Sequence, residues 1–513
     1  MCGRSVAEGL RLAELVAALS LVTDLGMGQP MEQALRTCLI ALSLGRQMGL
    51  EPNEMRDVYY VALLRFLGCT SDAYDNAAIV GGDELAFRAA VAPALGGTPA
   101  EFMRHVLPAI STGRSWPARV GVAANFLLHG REIPAGVTAH CEVAENLASR
   151  LGLARSIRLG LSHALEHWDG KGVPGKVAGE QVALAARIAF VARDIEILAR
   201  LYGVDGMTAT IRRRSGAAYD PAVVNAFLPR SADVLDEAGP VLAWEAVQAA
   251  EPTPQIVVEP RDLAAKLEVF ADFADLKSPF MAGHSRAVAE LASDAAAAPD
   301  RRGLQCAGLV HDLGRVAIPN GVWAKPGPLS EGDREQVRLH AYHTERVLSR
   351  CSALAEFAPL AGMHHERSDG SGYHRGSRAA EIAPSARVLA AADTYQAMIE
   401  PRPHRPALQR DAAARQLERE AAAGRLDRQA VDAILSATGH QRTHGRTEWP
   451  AGLTDREVAV LRLICTGHSK KDVAAELVIS HSTADHHVRH IYDKIGVSTR
   501  AGATLFALEN RLL

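Results

Sequence analysis

The feature that most constrains the fold of this chain is a long internal repeat. A shift of 200 positions without a gap brings identical residues of the first and middle parts into register. The matched residues are His140 and His340, Glu145 and Glu345, Ser149 and Ser349, Arg150 and Arg350, Glu166 and Glu366, Asp169 and Asp369, Gly170 and Gly370, Gly172 and Gly372, Ala186 and Ala386, and Arg187 and Arg387. A period of this length indicates the duplication of a whole domain, not a short solenoid repeat.

Two segments without helical periodicity divide the 513 residues into three parts. Segment 249–262 is rich in proline, and segment 438–452 is polar and rich in glycine, as linkers commonly are. We therefore predict domains at 1–250, 260–438 and 450–513, since the chain is too long for one hydrophobic core. Helical periodicity runs through all three parts and no alternating strand run stands out, so the sequence predicts an all-α protein of two tandem helical bundles and a smaller helical domain.

Composition and charge exclude some classes of protein. The net charge is −3, so bulk charge indicates neither a nucleic-acid partner nor a membrane partner. The seven cysteines are scattered and form no CxxC, which argues against a disulfide framework and fits a reducing compartment. The sequence contains neither an apolar run of about 18 residues nor a signal pattern. We expect a cytoplasmic protein with no membrane contact.

The middle part carries a series of histidines and aspartates beside apolar helical residues. The series is His284, His311, Asp312, His340, His364, His365 and Asp393. Buried charges are costly unless they are paired or bound to a metal, and mixed imidazole and carboxylate donors suit Fe, Mn, Zn or Ni better than Mg or Ca. We predict that all seven lie on successive helices and face one bundle interior. The residues alone leave open that they are ordinary core histidines and surface acids.

The order of these residues and the text around them resemble the HD-GYP branch of the HD phosphohydrolase superfamily. The matching text is "HDLGRVAIP", "KPGPLS", "HHERSDGSGYH", "ARVLAAADTYQAM" and "RPHR". The resemblance implies an all-helical bundle with a metal site that hydrolyses cyclic di-GMP. It implies that one divalent transition metal is held by His284, His311, Asp312 and Asp393, and that Asp312 bridges to a second metal held by His340, His364 and His365.

The same resemblance implies roles in catalysis and substrate binding. Asp312 and Arg315 would be catalytic, and the substrate would contact Arg315, Tyr373, Arg402 and Arg405. Phe280 stands where trinuclear members have glutamate, which favours two metals. The signature Gly-Tyr-Pro reads Gly-Tyr-His at 372–374, which leaves the choice of phosphorylated nucleotide open. A metal site used for structure or sensing, without turnover, is an open alternative.

The first part is a degraded copy of the middle part. Stretch "LLRFLGCTSD" aligns with "LVHDLGRVAI". The replacements are Arg65 for His311, Phe66 for Asp312, Ala164 for His364, Leu165 for His365 and Arg193 for Asp393. Because Phe66 would fill the space that a metal needs, we predict a copy without metals. It would serve as a packing partner or a support for a dimer, the alternative being a sensing module.

The tail has its own helical pattern. Thr454 and Glu457 predict a capping box, and Gly467 and Gly496 predict helix ends. The text "LTDRE", "TGHSKKDVA", "LVIS" and "KIGV" resembles a LuxR-type helix-turn-helix domain of four helices. This resemblance implies that the third helix enters the major groove of double-stranded DNA, and that the fourth helix supports a homodimer.

The candidate DNA-contacting residues of the tail are Lys470, Lys471, Thr483, His487, Arg489, His490 and Lys494. From Pro450 onward there are eight Lys and Arg against seven Asp and Glu, and Asp485 would repel phosphate if it faced DNA. The whole pattern favours a bacterial transcriptional regulator that carries a phosphodiesterase domain. The alternatives are a transcription factor whose HD domains only sense a ligand or support the fold, and an enzyme whose tail only dimerises.

Overall fold

The structure is a computed structural model that describes residues 9–111, 116–129, 133–239, 242–439 and 449–513. The chain divides into two compact units, Met1–Asp262 and Leu263–Leu513. Almost all regular structure in the described residues is helical, which confirms the prediction of an all-α protein. None of the described helices combines the length and the apolar character that crossing a bilayer requires. The finer division into three domains stays a prediction.

Unit 1 consists of thirteen described α-helices and a two-stranded antiparallel pairing. The elements are β1 Leu10–Arg11, α1 Leu12–Gly26, α2 Gln33–Gln47, α3 Pro52–Leu64, α4 Ala73–Val80, α5 Glu84–Val91, α6 Pro99–Ser111, α7 Trp116–His129, α8 Ile133–Leu151, α9 Arg155–Ser162, α10 Leu184–Arg214, α11 Pro221–Phe227, α12 Ser231–Ala238, α13 Ala243–Ala249 and β2 Val257–Val258. Helix α1 is buried along nearly its whole length, as expected of a helix that is apolar on all sides. Helices α2, α3 and α10 pack against one another beside it.

The proline-rich segment predicted to be a linker contacts the first residues of unit 1. Strand β2 pairs with β1, and the N–H of Leu12 donates to the carbonyl of Ile256 at 2.7 Å. The Arg11 guanidinium also donates to the Glu251 carboxylate at 3.1 Å. Prolines exclude a helix here, and the extended β-branched residues can pair with another strand. The second predicted linker falls mostly at 440–448, outside the described residues.

Unit 2 begins with a helical bundle and ends with the four helices of the tail. The bundle helices are α14 Leu263–Asp275, α15 His284–Ala295, α16 Arg301–Val310, α17 Asn320–Trp323, α18 Glu331–Leu348, α19 Ala358–Gly362, α20 Pro384–Ile399, α21 Arg410–Ala422 and α22 Arg428–Thr438. Helix α15 packs against α16 and α20, and α18 packs against a 3₁₀ turn at Leu313–Ala317. These packed elements bring the candidate ligands together.

The tail folds as the four helices predicted for it. They are α23 Asp455–Cys465, α24 Lys470–Glu476, α25 His481–Ile495 and α26 Arg500–Glu509. The predicted capping box is present, because the Thr454 hydroxyl accepts the N–H of Glu457 and the Glu457 carboxylate accepts the N–H of Thr454. The four helices share one apolar core that includes Val458, Val488 and Ala507.

The tail meets the bundle of unit 2 at the segment just before α15. A Cβ added at Gly467 would lie 2.9 Å from the ring of Pro279, and one added at Gly283 would lie 3.0 Å from Cδ2 of Leu508. Leu505 and Leu508 are buried but lie outside the core of the tail. Helix α26 therefore has a second apolar face, part of which contacts the bundle of unit 2.

Candidate metal centre and cavity

The seven candidate ligands come from five stretches of the bundle in unit 2. His284 is the first residue of α15, His340 lies within α18, and Asp393 lies within α20. His311–Asp312 and His364–His365 follow the last residues of α16 and α19, so the prediction of helical positions was wrong for these two pairs. Successive helical residues point about 100° apart. Leaving the helix allows both members of each pair to face one site.

Asp312 lies at the centre of the cluster, and its two carboxylate oxygens face different histidines. Oδ2 lies 3.6 Å from Nε2 of His284 and 3.4 Å from Nε2 of His311. Oδ1 lies 3.5 Å from Nε2 of His340 and 3.5 Å from Nε2 of His364. A carboxylate placed in this way can bridge two cations, one on each side.

The rings of His340 and His364 fit a cation between them. Nδ1 of each ring donates to the backbone carbonyl three residues earlier, at Val337 and Ala361. In the neutral rings Nε2 then carries a lone pair, and the two Nε2 atoms lie only 3.1 Å apart. Facing lone pairs repel unless a positive charge lies between them.

Buried atoms without partners give the same indication. Nε2 of His311 and Oδ1 of Asp312 are buried without a hydrogen-bond partner, and an unsatisfied buried polar group costs about 1–3 kcal/mol. The donors gather in three groups whose atoms lie within 4.8 Å of one another: His340, His364 and His365; His284, His311 and Asp393; and His311, Asp312 and His364. This set of imidazoles and carboxylates fits divalent transition metals.

The pKa values in the cluster differ between its two sides. Burial raises the pKa of Asp312, but Arg315 and His311 outweigh burial and hold that pKa well below its usual range. Burial lowers the pKa of His340 to about 3. Burial also lowers the pKa of His284, but Glu400 and Asp393 outweigh it and raise that pKa to about 10. His340 is therefore ready to bind a metal, whereas binding at His284 must release a proton.

A cavity of about 380 Å³ opens beside the cluster. Its wall includes the basic side chains of Lys277, Arg315, Lys325, Arg402 and Arg405 and the rings of Phe280 and Trp323. Arg315 joins the cavity to the cluster, because its Nη1 donates to Oδ2 of Asp312 at 2.8 Å. The Arg315 guanidinium also lies 4.2 Å from the centroid of the Trp323 ring. Cations and aromatic rings together suit a ligand that carries phosphates and flat bases.

The other predicted substrate residues differ in their placement. Arg402 lines the cavity and donates to the Glu400 carboxylate at 2.9 Å. Arg405 also lines it, but the guanidinium donates to backbone carbonyls around the end of α20 and so holds the turn after that helix. Tyr373 is not among the residues that line the cavity. Its ring packs on His365, with centroids 4.6 Å apart, beside the ligand cluster.

The loop that carries Tyr373 is anchored by a buried carboxylate. Glu366 accepts the backbone N–H groups of Arg375 at 2.7 Å and Ser377 at 2.8 Å. His374, which stands at the position of the signature proline, has Nε2 3.6 Å from a glutamate of α18. The loop is thus held by hydrogen bonds that do not depend on a proline ring.

Unit 1 repeats the backbone of this site. A Cβ added at Gly68 would lie 2.0 Å from the carbonyl oxygen of His140, and one added at Gly314 would lie 1.9 Å from that of His340. Glu166 accepts two loop N–H groups, as its counterpart in unit 2 does. These matches give structural support to the repeat with a period of 200 residues.

The side chains at the centre of unit 1 are different. Phe66 is buried and lies edge-to-face on His140, with ring centroids 6.2 Å apart. The buried Arg65 guanidinium lies 4.6 Å from the centroid of the Phe190 ring, and its three nitrogens have no hydrogen-bond partner. Among the described residues of unit 1, no three ligand-type side chains come close enough together to hold a metal.

The candidate DNA-contacting residues lie on α24 and α25. The exposed ones are Lys470, Lys471, Thr483, Arg489 and His490, and His487 is half-buried. Asp485 forms ion pairs with Lys470 at 2.5 Å and with Arg489 at 2.6 Å, so its charge is compensated within the domain. Lys494 donates to the Glu457 carboxylate at 2.9 Å and so ties α25 to α23.

Sequence reasoning missed two side chains at the site. Glu400 accepts from both His284 and Arg402, and it follows the last residue of α20 in an extended conformation, where helical spacing does not mark it. Trp323 packs on Arg315 and, edge-to-face, on His340. No spacing marked this tryptophan, since it belongs to a short helix in a loop region.

Comparison with known proteins gives two family matches. The profile described as "HD domain" matches residues 130–223 and 268–430. The profile described as "Bacterial regulatory proteins, luxR family" matches residues 451–507. The first match spans both copies of the internal repeat.

Several curated relatives are phosphodiesterases. The 3'3'-cGAMP-specific phosphodiesterase 3 of Vibrio cholerae is 30% identical over 420 residues, which cover 78% of this chain and 89% of that protein. A cyclic di-GMP phosphodiesterase of Thermotoga maritima is 37% identical over 116 residues, 22% of this chain and 32% of that protein. The crystal structure of a cyclic GMP-AMP specific phosphodiesterase of V. cholerae superposes with a TM-score of 0.57 at 25% identity, covering 85% of this chain and 99% of that one.

Proposed function

Because this chain belongs to the HD-domain family and carries a LuxR-family domain, we propose that it is a DNA-binding regulator whose second HD copy is a metal-dependent phosphodiesterase. The observation that carries the proposal is the position of the Asp312 carboxylate, which has imidazoles on both sides. A cavity lined by basic side chains lies beside it. The first HD copy lacks this arrangement.

Two divalent transition metals, of Fe, Mn, Zn or Ni type, fit the donor set. His284, His311 and Asp393 would hold one, and His340, His364 and His365 the other, with Asp312 shared between them. Such a pair would supply an activated water and neutralise charge at phosphorus. The seven candidate ligands would hold that pair, and Asp312 would contribute a carboxylate oxygen to each of the two positions.

The basic residues of the cavity would bind and orient the substrate. Arg315 and Arg402 lie on the wall, and Arg315 reaches the central carboxylate, so a phosphodiester bound there would lie against the ligand cluster. Their guanidiniums would offset the negative charge that develops on the phosphoryl oxygens. Arg405 supports the turn, and Tyr373 would approach the substrate from the side of His365.

We propose a cyclic dinucleotide as the substrate, with 3'3'-cGAMP tested beside cyclic di-GMP. The relatives act on one or the other by their names, and the aromatic rings of the cavity offer faces for bases. The test is hydrolysis of both nucleotides by the full chain purified without oxygen, with metal analysis and Asp312→Ala as control. Turnover that the control abolishes supports the proposal. Bound metal without turnover of either nucleotide would favour a sensor or another phosphate ester.

The tail would read double-stranded DNA with α25. The exposed Thr483, Arg489 and His490 lie on this helix, while Lys470 and Lys471 at the start of α24 are placed to contact phosphates. The test is a binding assay of the full chain on genomic fragments at several salt concentrations, comparing wild type with Arg489→Ala. Weaker binding and a shallower salt dependence in the variant support the proposal. Equal binding by the two proteins would exclude Arg489 from the interface, and no binding by the wild type would leave the tail as an interaction domain.

We further propose that the protein acts as a homodimer on DNA in the cytoplasm. Two recognition helices are needed to read a two-fold symmetric operator. Part of the apolar face of α26 already meets Gly283, so dimerisation would use another surface or displace that contact. Sedimentation with and without operator DNA tests this, and a monomer on DNA would contradict it.

A further inference from the structure

His284 is held differently from three other histidines of the cluster. Nδ1 of His311, His340 and His364 donates to the carbonyl three residues earlier in the chain, a partner that the preceding helical turn supplies. His284 is the first residue of α15 and therefore has no preceding turn of that helix. Its Nδ1 lies instead 2.8 Å from Oε2 of Glu400.

This contact determines which nitrogen of His284 can bind a metal. An ionised carboxylate only accepts hydrogen bonds, so Nδ1 keeps its proton against Glu400, and the proton that a metal displaces is the one on Nε2. Nε2 is the atom that points into the cluster, 3.2 Å from Oδ1 of Asp393. A carboxylate behind a ligating imidazole fixes the orientation of the ring and makes the nitrogen a stronger ligand.

Glu400 also connects His284 to the cavity, through its contact with Arg402. Its Oε2 accepts from Nη2 of Arg402 at 2.9 Å, and its Oε1 accepts from Nε2 of Gln396 at 2.7 Å. Nη1 of Arg402 then donates to the carbonyl of Phe280 in the cavity wall. One carboxylate, 17% exposed, thus contacts both a candidate metal ligand and a candidate phosphate-binding cation.

We propose that Glu400 is a positioning residue that sets the tautomer and orientation of His284 for the metal and holds Arg402 at the cavity wall. The inference rests on the proposed function of this site, since it names a residue that serves it. Glu400 acts through His284 and Arg402 and does not itself bind the metal or the substrate.

The test compares Glu400→Ala and Glu400→Gln with the wild-type full chain. Affinity for Mn²⁺ is measured by competition with a chromophoric chelator, and kcat and KM are measured on the cyclic dinucleotide that is turned over. We expect Glu400→Ala to weaken Mn²⁺ binding by about 10–100-fold and to raise KM through Arg402. Glu400→Gln keeps an acceptor but loses the charge, so its Mn²⁺ affinity and its KM should lie between those of the wild type and Glu400→Ala.

A matched control and a double variant separate positioning from general stability. Glu420→Gln removes a carboxylate that pairs with Arg425, is not part of the cluster, and should change neither value. In a His284→Ala background, Glu400→Ala should cause no further loss of Mn²⁺ affinity, because its partner is gone. An additional loss there, or unchanged Mn²⁺ affinity in Glu400→Ala, would overturn the proposal.

The metal measurement also separates this proposal from the proposed function. Weakened Mn²⁺ binding in Glu400→Ala without any turnover by the wild type would support the positioning role and reject the proposed substrates. Turnover by the wild type with unchanged Mn²⁺ affinity and unchanged KM in the variant would reject the positioning role alone.

Discussion

The two HD copies of this chain have a similar backbone, but their interiors are lined by chemically different side chains. In unit 2 the space between the helices is lined by imidazoles and carboxylates whose donor atoms face one another at 3.1–3.6 Å. In unit 1 the corresponding space holds Phe66 and the guanidiniums of Arg65 and Arg193, all buried. The comparison teaches that a similar backbone can enclose an interior of an aromatic ring and guanidiniums, so the imidazoles and carboxylates gathered in unit 2 are not explained by the backbone alone.

The largest expected difference between the copies is in catalysis. His364→Ala removes a donor from two of the three ligand groups, and we expect turnover to fall by a factor on the order of 10³, about 4 kcal/mol in the barrier. Ala164→Ser changes the matching position of unit 1 and should leave kcat unchanged. Steady-state hydrolysis with metal analysis measures both. A comparable loss in Ala164→Ser would show that the copies share the chemistry.

Metal removal should also distinguish the copies. A ligand that binds only the folded state at 100 times its Kd stabilises that state by about 2.7 kcal/mol. Chelation should therefore speed hydrogen exchange in α15, α16 and α18–α20 and leave α1–α3 and α10 unchanged. Exchange followed by mass spectrometry resolves the two regions. Equal acceleration in unit 1 would mean that the first copy also depends on metal.

Arg315 and its counterpart Cys69 test the basic cavity. Arg315→Ala removes a cation from the cavity wall and from Asp312. Because hydrogen bonds to charged groups contribute about 1.5–3 kcal/mol, we expect kcat/KM to fall by roughly 10–100-fold. Cys69→Ala should leave it unchanged. A kcat/KM for Arg315→Ala within twofold of wild type would place the substrate elsewhere.

The smallest expected effect is a gain of stability in unit 1. Burial, and then Arg193, lower the pKa of Arg65 to about 9. The folded state thus disfavours the charged form, yet Arg65 is still protonated at pH 7. The buried charge therefore lowers the free energy of unfolding at neutral pH. This loss of stability becomes smaller as the pH rises above 9. Replacing buried charges by apolar residues can stabilise proteins by about 1–4 kcal/mol. We expect Arg65→Met to raise the free energy of unfolding by about 1 kcal/mol in urea titrations.

That stability test has a defined contrary result. A loss of 2 kcal/mol or more, as a rough threshold for a buried group that is needed, would show that the Arg65 guanidinium supports unit 1 in a way that its missing hydrogen bonds do not reveal. A matched change at Arg193, whose guanidinium does pair with Asp194, should destabilise.

Much of the fold and of the site follows from the sequence, because both depend on local patterns. The helical periodicity, the capping box at Thr454 and the set of seven side chains that gather in the cluster were predicted from spacing or by resemblance, while their role as metal ligands stays a prediction. The placement of His311 and His364 just outside helices was not, since the pattern does not show where a buried helix ends. The ion pair of Lys494 with Glu457 was missed as well, because it joins residues from different helices.

Long-range hydrogen bonds explain most of what the sequence did not show. Glu400 looks like an ordinary residue at a helix end until the first residue of α15 is placed opposite it. The pairing of β1 with β2 joins residues almost 250 positions apart, through strands of two residues each. Such contacts depend on how elements meet in space, which periodicity does not encode.

The close approach of Gly68 and Gly314 to a histidine carbonyl has a consequence for how such domains can be traced through evolution. Any side chain at these positions would collide with the backbone of the neighbouring helix. The backbone therefore requires glycine at these positions whether or not metal-ligand side chains surround them. A degenerate copy remains recognisable by a glycine that its architecture needs, even when every ligand around that glycine has drifted except one.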